Sequence, residues 1–222
     1  MTGASKQEDR NRIIRKLTNS DASAAGRVLG ASMMIEPGYV AVLPDDDVRK
    51  KVLVPLITDS AREAIAHDAA FGLFEAKRLL GAALWLPPGT YPPPPRPESA
   101  GPPQYPPYLR DLDPDHLAGL IVYDERCVEH FPDEPAWYLM YLGVDPAGQG
   151  MGVGSTLLRV SIDAVTSRQP APLYLETGTE RNVRFYERFG FRVREADVQL
   201  VPGETRHWTM LRPASVSAAT TQ

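Results

Sequence analysis

The segment from Val144 to Ser155 reads Val-Asp-Pro-Ala-Gly-Gln-Gly-Met-Gly-Val-Gly-Ser. An apolar run, Trp137 to Val144, precedes it, and a helix-periodic pattern of Val153, Leu157, Leu158, Ser161, Ile162 and Val165 follows. Glycines let the backbone come close to a ligand and adopt positive φ. The first amides of a helix point unpartnered donors at an anion, and the helix dipole adds to them. Strand, glycine cluster and helix therefore predict a phosphate cradle, with a tight turn packing helix on strand as the purely structural alternative. Two nucleotide loops fail on spacing. A P-loop ends in Gly-Lys-Ser/Thr, and this stretch has no lysine. A dinucleotide fingerprint needs glycines at i, i+2 and i+5, and the last position falls on Val153 or Ser155 in the two available registers.

A second constellation lies downstream. Leu173 to Thr177 reads as a strand, and Asn182 and Tyr186 are four residues apart, on one face of the helix that follows. Gly190 then suits a left-handed helix stop. Gln149-Gly150-Met151-Gly152-Val153-Gly154 fits the pattern Gln/Arg-x-x-Gly-x-Gly/Ala and resembles the pyrophosphate loop of the GNAT superfamily of acyl-CoA-dependent N-acyltransferases. Leu173 to Phe191 resembles that superfamily's second signature. Within it, Glu134-Pro135-Ala136-Trp137, Leu175-Glu176-Thr177, Arg181-Asn182, Phe185-Tyr186-Glu187-Arg188, Gly190-Phe191, Arg206, Trp208 and Met210 look like the puromycin N-acetyltransferase branch. That likeness covers roughly residues 134–213. The N-terminal half agrees in outline only, so acetyl-CoA binding carries over and puromycin as substrate does not.

The resemblance implies direct transfer of an acetyl group from acetyl-CoA to a small amine. It places the pyrophosphate on Gln149, Gly150, Met151, Gly152, Val153, Gly154 and Ser155. It points to the strand backbone at Leu142, Gly143 and Val144 as donor to the oxyanion, with Gly143 as the break in the strand. An attacking amine must be neutral, so a base or water relay has to take its proton. Glu176, at its strand's end, is the candidate base, with a structural carboxylate capping the next loop as the alternative. The departing thiolate gains from a donor, and a tyrosine with a pKa of about 10 stays protonated at neutral pH. Tyr186 is that candidate acid, with a core tyrosine as the alternative. Asn182 is expected to bond the pantetheine or a bound water.

The acceptor region is read from Met33 to Pro44, the connection between the first two helices. Glu36 is its only charge and Tyr39 its flat polar-tipped ring, so both are candidates for holding a hydrophobic primary amine, antibiotic-like or a metabolite. The alternative has these residues packing the second helix while Glu36 faces water. Tyr138 and Tyr141 on the central strand are weaker polar candidates, with packing groups as the favoured reading. Cys127 is the sole cysteine, and its nearest histidine, His130, has no third group in sequence to orient it, which argues against a covalent thiol route. The four histidines lack metal-ligand spacing and read as surface or capping residues; no metal is expected. Two rival functions remain, a protein or peptide N-acetyltransferase and a non-catalytic acyl-CoA sensor. Tyr186 favours the enzyme over the sensor.

The elements that must hold these groups follow from pattern and punctuation. With 222 residues, 43% hydrophobic, one sizeable core is possible. A net charge of −4 carries no nucleic-acid footprint, and no apolar run is long enough to span a membrane. The polar start lacks a secretory segment. A cytoplasmic enzyme, monomer or homodimer, is expected. The fold class is α/β, a GNAT-like mixed central sheet flanked by helices, with a Pro-rich surface excursion. Residues 1–11 read as a flexible N-terminus, 12–213 as one domain and 214–222 as a tail. Residues 87–107 hold eleven of the 22 prolines and cannot be helix or central strand. A first helix capped by Ser20 or Asp21 runs to Met33. A second starts after Pro44 behind Asp45, Asp46 and Asp47, and Pro55 is expected to kink or break it. Strands over 70–76 and 79–86 form a hairpin around Lys77-Arg78, and a last hairpin turns at Pro202-Gly203.

Overall fold

The computed structural model describes residues 12–95, 97–100, 103–201 and 206–214. The expected flexible N-terminus, the tail beyond residue 214 and the Pro202-Gly203 turn lie outside these. In chain order the elements are β1 (Arg12–Lys16), α1 (Ala22–Met33), α2 (Pro37–Val42), α3 (Asp46–Ala66), β2 (Ala70–Glu75), β3 (Arg78–Leu86), α4 (Pro107–Arg110), α5 (Pro114–Glu129), β4 (Trp137–Val144), α6 (Val153–Arg168), β5 (Leu173–Thr177), α7 (Glu180–Glu187), β6 (Arg192–Val198) and β7 (His207–Arg212). The strands make one mixed sheet in the order β1-β2-β3-β4-β5-β7-β6. Only the β4–β5 pair is parallel. This is the expected α/β class.

Alternation along the strands sends side chains to two faces, and each face buries its own core. Phe71, Leu73, Trp85, Trp137 and Leu139 pack with Leu157, Leu158 and Ile162 of α6. Ala70, Phe74, Leu79 and Leu84 pack on the other side with Leu29 of α1 and Leu53 and Ile57 of α3. α3 continues through Pro55, so the break that the sequence offered as one outcome does not occur. A proline inside a helix costs about 3 kcal/mol, whereas burying each large aliphatic side chain returns about 1.5–3 kcal/mol. Val52, Leu53 and Ile57, all fully buried around Pro55, outweigh it.

Three further boundaries differ from expectation. Asp21 reaches back to accept from the Thr18 amide and hydroxyl (both 2.8 Å) instead of capping α1 forward. The β2–β3 turn falls on Ala76 and Lys77, with Ala76 at φ 53°. Pro107 begins α4, where a missing amide costs nothing. The rest of the Pro-rich excursion runs over the surface, with Pro92 to Pro95 exposed. It is pinned at one end by Tyr91 against Tyr138 (ring centroids 4.8 Å apart) and Phe131 (5.1 Å). At the other, the Tyr108 hydroxyl donates to Asp59 (2.7 Å).

The connection between α1 and α3 is not a plain loop, because α2 forms inside it. Arg49 of α3 holds it: its buried guanidinium donates to the carbonyls of Met34 (2.9 Å), Leu43 (2.5 Å) and Pro44 (3.1 Å).

β4 sets the geometry of the site. It pairs with β5 only at Trp137↔Leu173 and Tyr138↔Tyr174. On its other side the register against β3 jumps from Trp85↔Leu139 to Leu84↔Tyr141, which leaves Met140 as an extra residue. Such a bulge bends a strand and increases its twist. The break expected at Gly143 therefore lies at Met140. Gly143 stays regularly paired with Ala82, and its missing side chain serves α1 instead: a Cβ there would lie 2.0 Å from Ser32 Oγ.

The tightest helix contact gives a test of the packing. A Cβ on Gly26 of α1 would meet Thr58 Oγ1 at 1.9 Å and the Val54 carbonyl oxygen at 2.8 Å on α3. Alanine normally gains about 0.5–1 kcal/mol over glycine inside a helix, but forcing α1 from α3 costs about 1–3 kcal/mol. Gly26→Ala is expected to lower the denaturation midpoint in urea despite its better helix propensity.

Candidate active site

The glycine loop leaves β4 through a 3-10 turn capped by Asp145, which accepts from the Ala147 amide (2.9 Å) and pairs with Arg78 (2.9 Å). Gly150 and Gly152 hold φ of +76° and +75°, which side-chain-bearing residues rarely adopt. A Cβ at either would meet nothing within 4 Å, so the space above the loop is open. Gly152 is the N-cap of α6, and no side chain caps that end. The amides of Val153, Gly154 and Ser155 thus have no partner within the helix. Gln149 does not point into this space; its Nε2 lies 3.4 Å from the Val144 carbonyl. An open concave backbone at an uncapped helix N-terminus can hold a pyrophosphate.

Where β4 and β5 part, polar side chains gather on the face toward α2 and α5. Tyr138 and Tyr174 pair across the strands, and Glu176 lies two residues beyond Tyr174, on the same face. Burial raises the Glu176 carboxyl from 4.5 to about 7, opposed by the Tyr138 and Tyr174 hydroxyls beside it. Its Oε1 is enclosed and unpartnered. The Tyr39 and Tyr141 hydroxyls share a hydrogen bond of 2.8 Å. Tyr123 of α5 packs between Tyr39 (ring centroids 5.5 Å apart) and the His207 ring (6.0 Å).

Several sequence readings change here. Glu36 neither faces water nor stands free. Its Oε2 caps α2 by accepting from the Gly38 amide (2.8 Å), and its Oε1 lies 3.3 Å from His207 Nε2. Tyr138 packs against Tyr91, Phe131 and Tyr174 with its hydroxyl beside Glu176, and Tyr141 adds a polar contact through Tyr39. His207, read as a surface or capping residue, is buried at 1% exposure. His130 does have an orienting group, since its Nδ1 lies 2.6 Å from Glu195. Cys127 is buried beside Val198 and Leu200, and burial together with Glu176, Asp124 and Glu36 pushes its thiol well up, away from the thiolate. Sequence reasoning missed His207, Thr209 and Tyr123. The available signal was the alternation of His207, Thr209 and Leu211 with Trp208 and Met210, the mark of a strand whose first face turns polar.

α7 starts at a Thr179 cap, which accepts from the Asn182 amide (3.2 Å). The Asn182 side chain is exposed. One turn on, the Tyr186 ring packs between Phe185 (5.1 Å) and Phe191 (5.8 Å), and burial raises its hydroxyl above the usual tyrosine value. It is protonated at neutral pH. Tyr186 thus lies in the core cluster, compatible with both of its readings. Among the described residues no group of three or more His, Cys, Asp or Glu side chains could hold a metal ion, and no helix is long and apolar enough to cross a membrane.

A split mixed sheet with an open anion loop at one mouth defines a class of acyl-group-transferring folds, and comparison with known proteins identifies the family. The model of the acetyltransferase (GNAT) family matches residues 76–191, more than half of the chain, and the protein belongs to that family. Mycothiol acetyltransferase of Propionibacterium freudenreichii subsp. shermanii is 40% identical over 96 residues, 42% of this chain and 31% of its own. An uncharacterized N-acetyltransferase of Schizosaccharomyces pombe is 35% identical over 77 residues, 32% of this chain and 31% of its own. The chain thus spans about a third of the length of these curated relatives. Among solved structures, the Corynebacterium glutamicum histone acetyltransferase HPA2 and related acetyltransferase superposes with a TM-score of 0.62 at 20% identity, covering 94% of this chain and 99% of that one. Arylalkylamine N-acetyltransferase 2 from Aedes aegypti gives 0.59 at 14%, covering 91% and 99%. At these identities the structures show a shared fold.

The buried carboxyl predicts a pH signature. A carboxyl whose folded pKa lies above its unfolded value holds its proton more tightly when folded, so stability falls as pH rises from 4.5 towards 7. One pKa unit corresponds to about 1.4 kcal/mol, which bounds the effect at roughly 3 kcal/mol. Glu176→Gln is expected to match the wild type in stability near pH 4.5 and to exceed it above pH 7, in urea denaturation at both pH values.

Proposed function

We propose that this protein transfers an acetyl group from acetyl-CoA to the amine of a small molecule by direct attack. The observation that carries this reading is the parting of β4 and β5, with an open glycine loop at one end and buried tyrosines gathered around Glu176 at the other. The aromatic surroundings of Glu176 support a small amine as the acceptor. Acetyl-CoA supplies the activated acetyl thioester. The amides from Gly150 to Ser155 hold its pyrophosphate, the Gln149 amide being taken by the Pro146 carbonyl (3.3 Å), and Asn182 bonds the pantetheine. Beyond Tyr138, β4 has no partner on its β5 side, so backbone groups along Leu142, Gly143 and Val144 are free to orient the acyl arm and donate to its oxygen. The amine nitrogen bonds to the acetyl carbon as the carbon–sulfur bond breaks. Glu176, held near neutrality, takes the nitrogen's proton, and Tyr186, held protonated, gives one to the departing sulfur. The thiol of Cys127, pushed up by burial, takes no part. The motif likeness around Arg206, Trp208 and Met210 supports a relation to the puromycin N-acetyltransferase branch. We take it to work in the cytoplasm, as a monomer or homodimer.

Thiol release from acetyl-CoA, measured across a panel of small amines and a lysine-containing peptide, tests the reading. Turnover of the peptide alone would replace the small amine by a protein substrate. Gly152→Asp puts a carboxylate where the pyrophosphate sits. Residue 152 holds φ +75°, which a side chain strains, so circular dichroism checks that the variant folds, and the folded variant is expected to lose at least about tenfold in acetyl-CoA affinity by calorimetry. Tyr186→Phe is expected to bind acetyl-CoA normally and to lose about a hundredfold in kcat, the size of general-acid contributions; unchanged kcat would remove Tyr186 from the mechanism.

A further inference from the structure

The Pro-rich excursion leaves β3 through a turn that sends the chain back onto the sheet. The Thr90 amide donates to the Pro87 carbonyl (3.1 Å), Gly89 takes a φ of +82°, and Tyr91 bridges back to Pro88. Leu86, the last residue of β3, is paired with Tyr138 of β4, so the turn delivers the Tyr91 ring to Tyr138. The two ring centroids are 4.8 Å apart. Phe131, just ahead of β4, lies edge-on to Tyr91 (5.1 Å), Tyr138 (5.7 Å) and Tyr174 (4.8 Å). Tyr174 stands 5.9 Å from Tyr138 on the neighbouring strand. Three rings therefore hold that of Tyr138. Aromatic pairs at such separations prefer particular angles and are worth more than the area they bury.

What these rings hold in place is a hydroxyl. Glu176 lies two residues beyond Tyr174 on the same face, and the Tyr138 and Tyr174 hydroxyls stand beside its carboxyl. A phenol carries one hydrogen. Tyr174 gives its own to the His130 carbonyl (3.0 Å), so Tyr138 is the donor left for Glu176. Burial, and after it the Glu176 charge, push the Tyr138 hydroxyl well up, which keeps that hydrogen in place. The Oε1 atom of Glu176 is enclosed and has no partner, so it is the oxygen free to take a proton. Charge and burial reach Glu176 from other elements as well. Tyr123, Asp124 and Cys127 come from α5, with Asp124 raising the carboxyl, and Tyr91 comes from the excursion. Thr209 stands opposite on β7, and His207 of the same strand is turned to Glu36.

We propose that Tyr138 is the positioning residue of Glu176, and that Tyr91, brought by the Pro-rich excursion, locks the Tyr138 ring so that its hydroxyl stays on the carboxyl. This rests on Glu176 as the base in the reading above and names the residues that hold it ready. It also gives the excursion a task at the site. A carboxylate that accepts a hydrogen bond keeps its charge to lower pH. Tyr138 therefore opposes the effect of burial and leaves Glu176 close to neutrality, where a base works best at physiological pH.

The test follows the Glu176 carboxyl by 13C NMR in the full-length protein, with the signal identified by its loss in Glu176→Gln. In the wild type its midpoint is expected at about 7. Tyr138→Phe keeps every ring contact and removes only the hydroxyl. It is expected to raise the midpoint by about one pH unit, the worth of one hydrogen bond to a charged group. Tyr91→Ala also changes hydration, so the coupling between the two positions decides. In the Tyr91→Ala background, Tyr138→Phe is expected to move the midpoint by less than half as much, whereas the Tyr91→Phe background should leave its full effect. A midpoint unmoved by Tyr138→Phe would overturn the proposal, and so would an effect of equal size in both backgrounds. The acidic limb of kcat/KM, read by thiol release from acetyl-CoA, should follow the NMR midpoint, so Tyr138→Phe is expected to lose about tenfold at pH 6. A limb that stays while the carboxyl moves would remove Glu176 as the base and leave its positioning by Tyr138 standing.

Discussion

The site depends on two strands that begin as neighbours and part after two residue pairs. Parallel pairing of β4 with β5 ends at Tyr138 and Tyr174, and the extra residue at Met140 turns β4 away. β5 can leave β4 because all five of its residues pair with β7 on the other side. The cleft is thus made without an unpaired strand: β4 stays held by β3, β5 by β7, and only the seam between them opens. Backbone groups facing that seam are the natural place for an acyl chain to lie, since a buried strand edge otherwise wastes its hydrogen bonds.

The two mouths of the seam differ in physical character. At one, the chain offers backbone alone: positive-φ glycines and an uncapped helix end, suited to an anion and indifferent to side-chain detail. At the other, polar and aromatic side chains are drawn together from five elements. Tyr39 comes from α2, Tyr123 from α5, Tyr141 from β4, Glu176 from β5 and His207 from β7. Such a chamber is costly to build. Glu176 sits well above its ordinary pKa, and His207 and Thr209 lack partners. Large apolar cores on both faces of the sheet can carry that cost, which is the usual exchange of stability for a prepared site.

Glu36 shows how one side chain links these parts. Its Oε2 starts α2, its Oε1 faces His207, and Arg49 holds the surrounding connection through backbone carbonyls. The start of α2 is therefore tied to β7 by one carboxylate, and a change there reaches both elements.

The sequence by itself determined the features whose causes are local. The glycine spacing, the 3.6-residue period of α6, the Asn182–Tyr186 spacing and the ends of β4 and β5 are all set by residues within a few positions of one another. The glycine turn before α6 and the helix that carries Tyr186 were legible as elements for that reason, and so was the fold class. Only the tertiary structure decided which distant polar groups meet. Nothing near His207 announces Glu36, some 170 positions earlier, because their approach follows from the β5–β7 register and the course of α2. The continuity of α3 through Pro55 has the same origin: the local rule is real, but burial against α1 and the sheet outweighs it. The bulge at Met140, not the glycine at 143, opens the cleft because strand pairing on both sides of β4 fixes where an extra residue fits, and that pairing is not written in β4 alone.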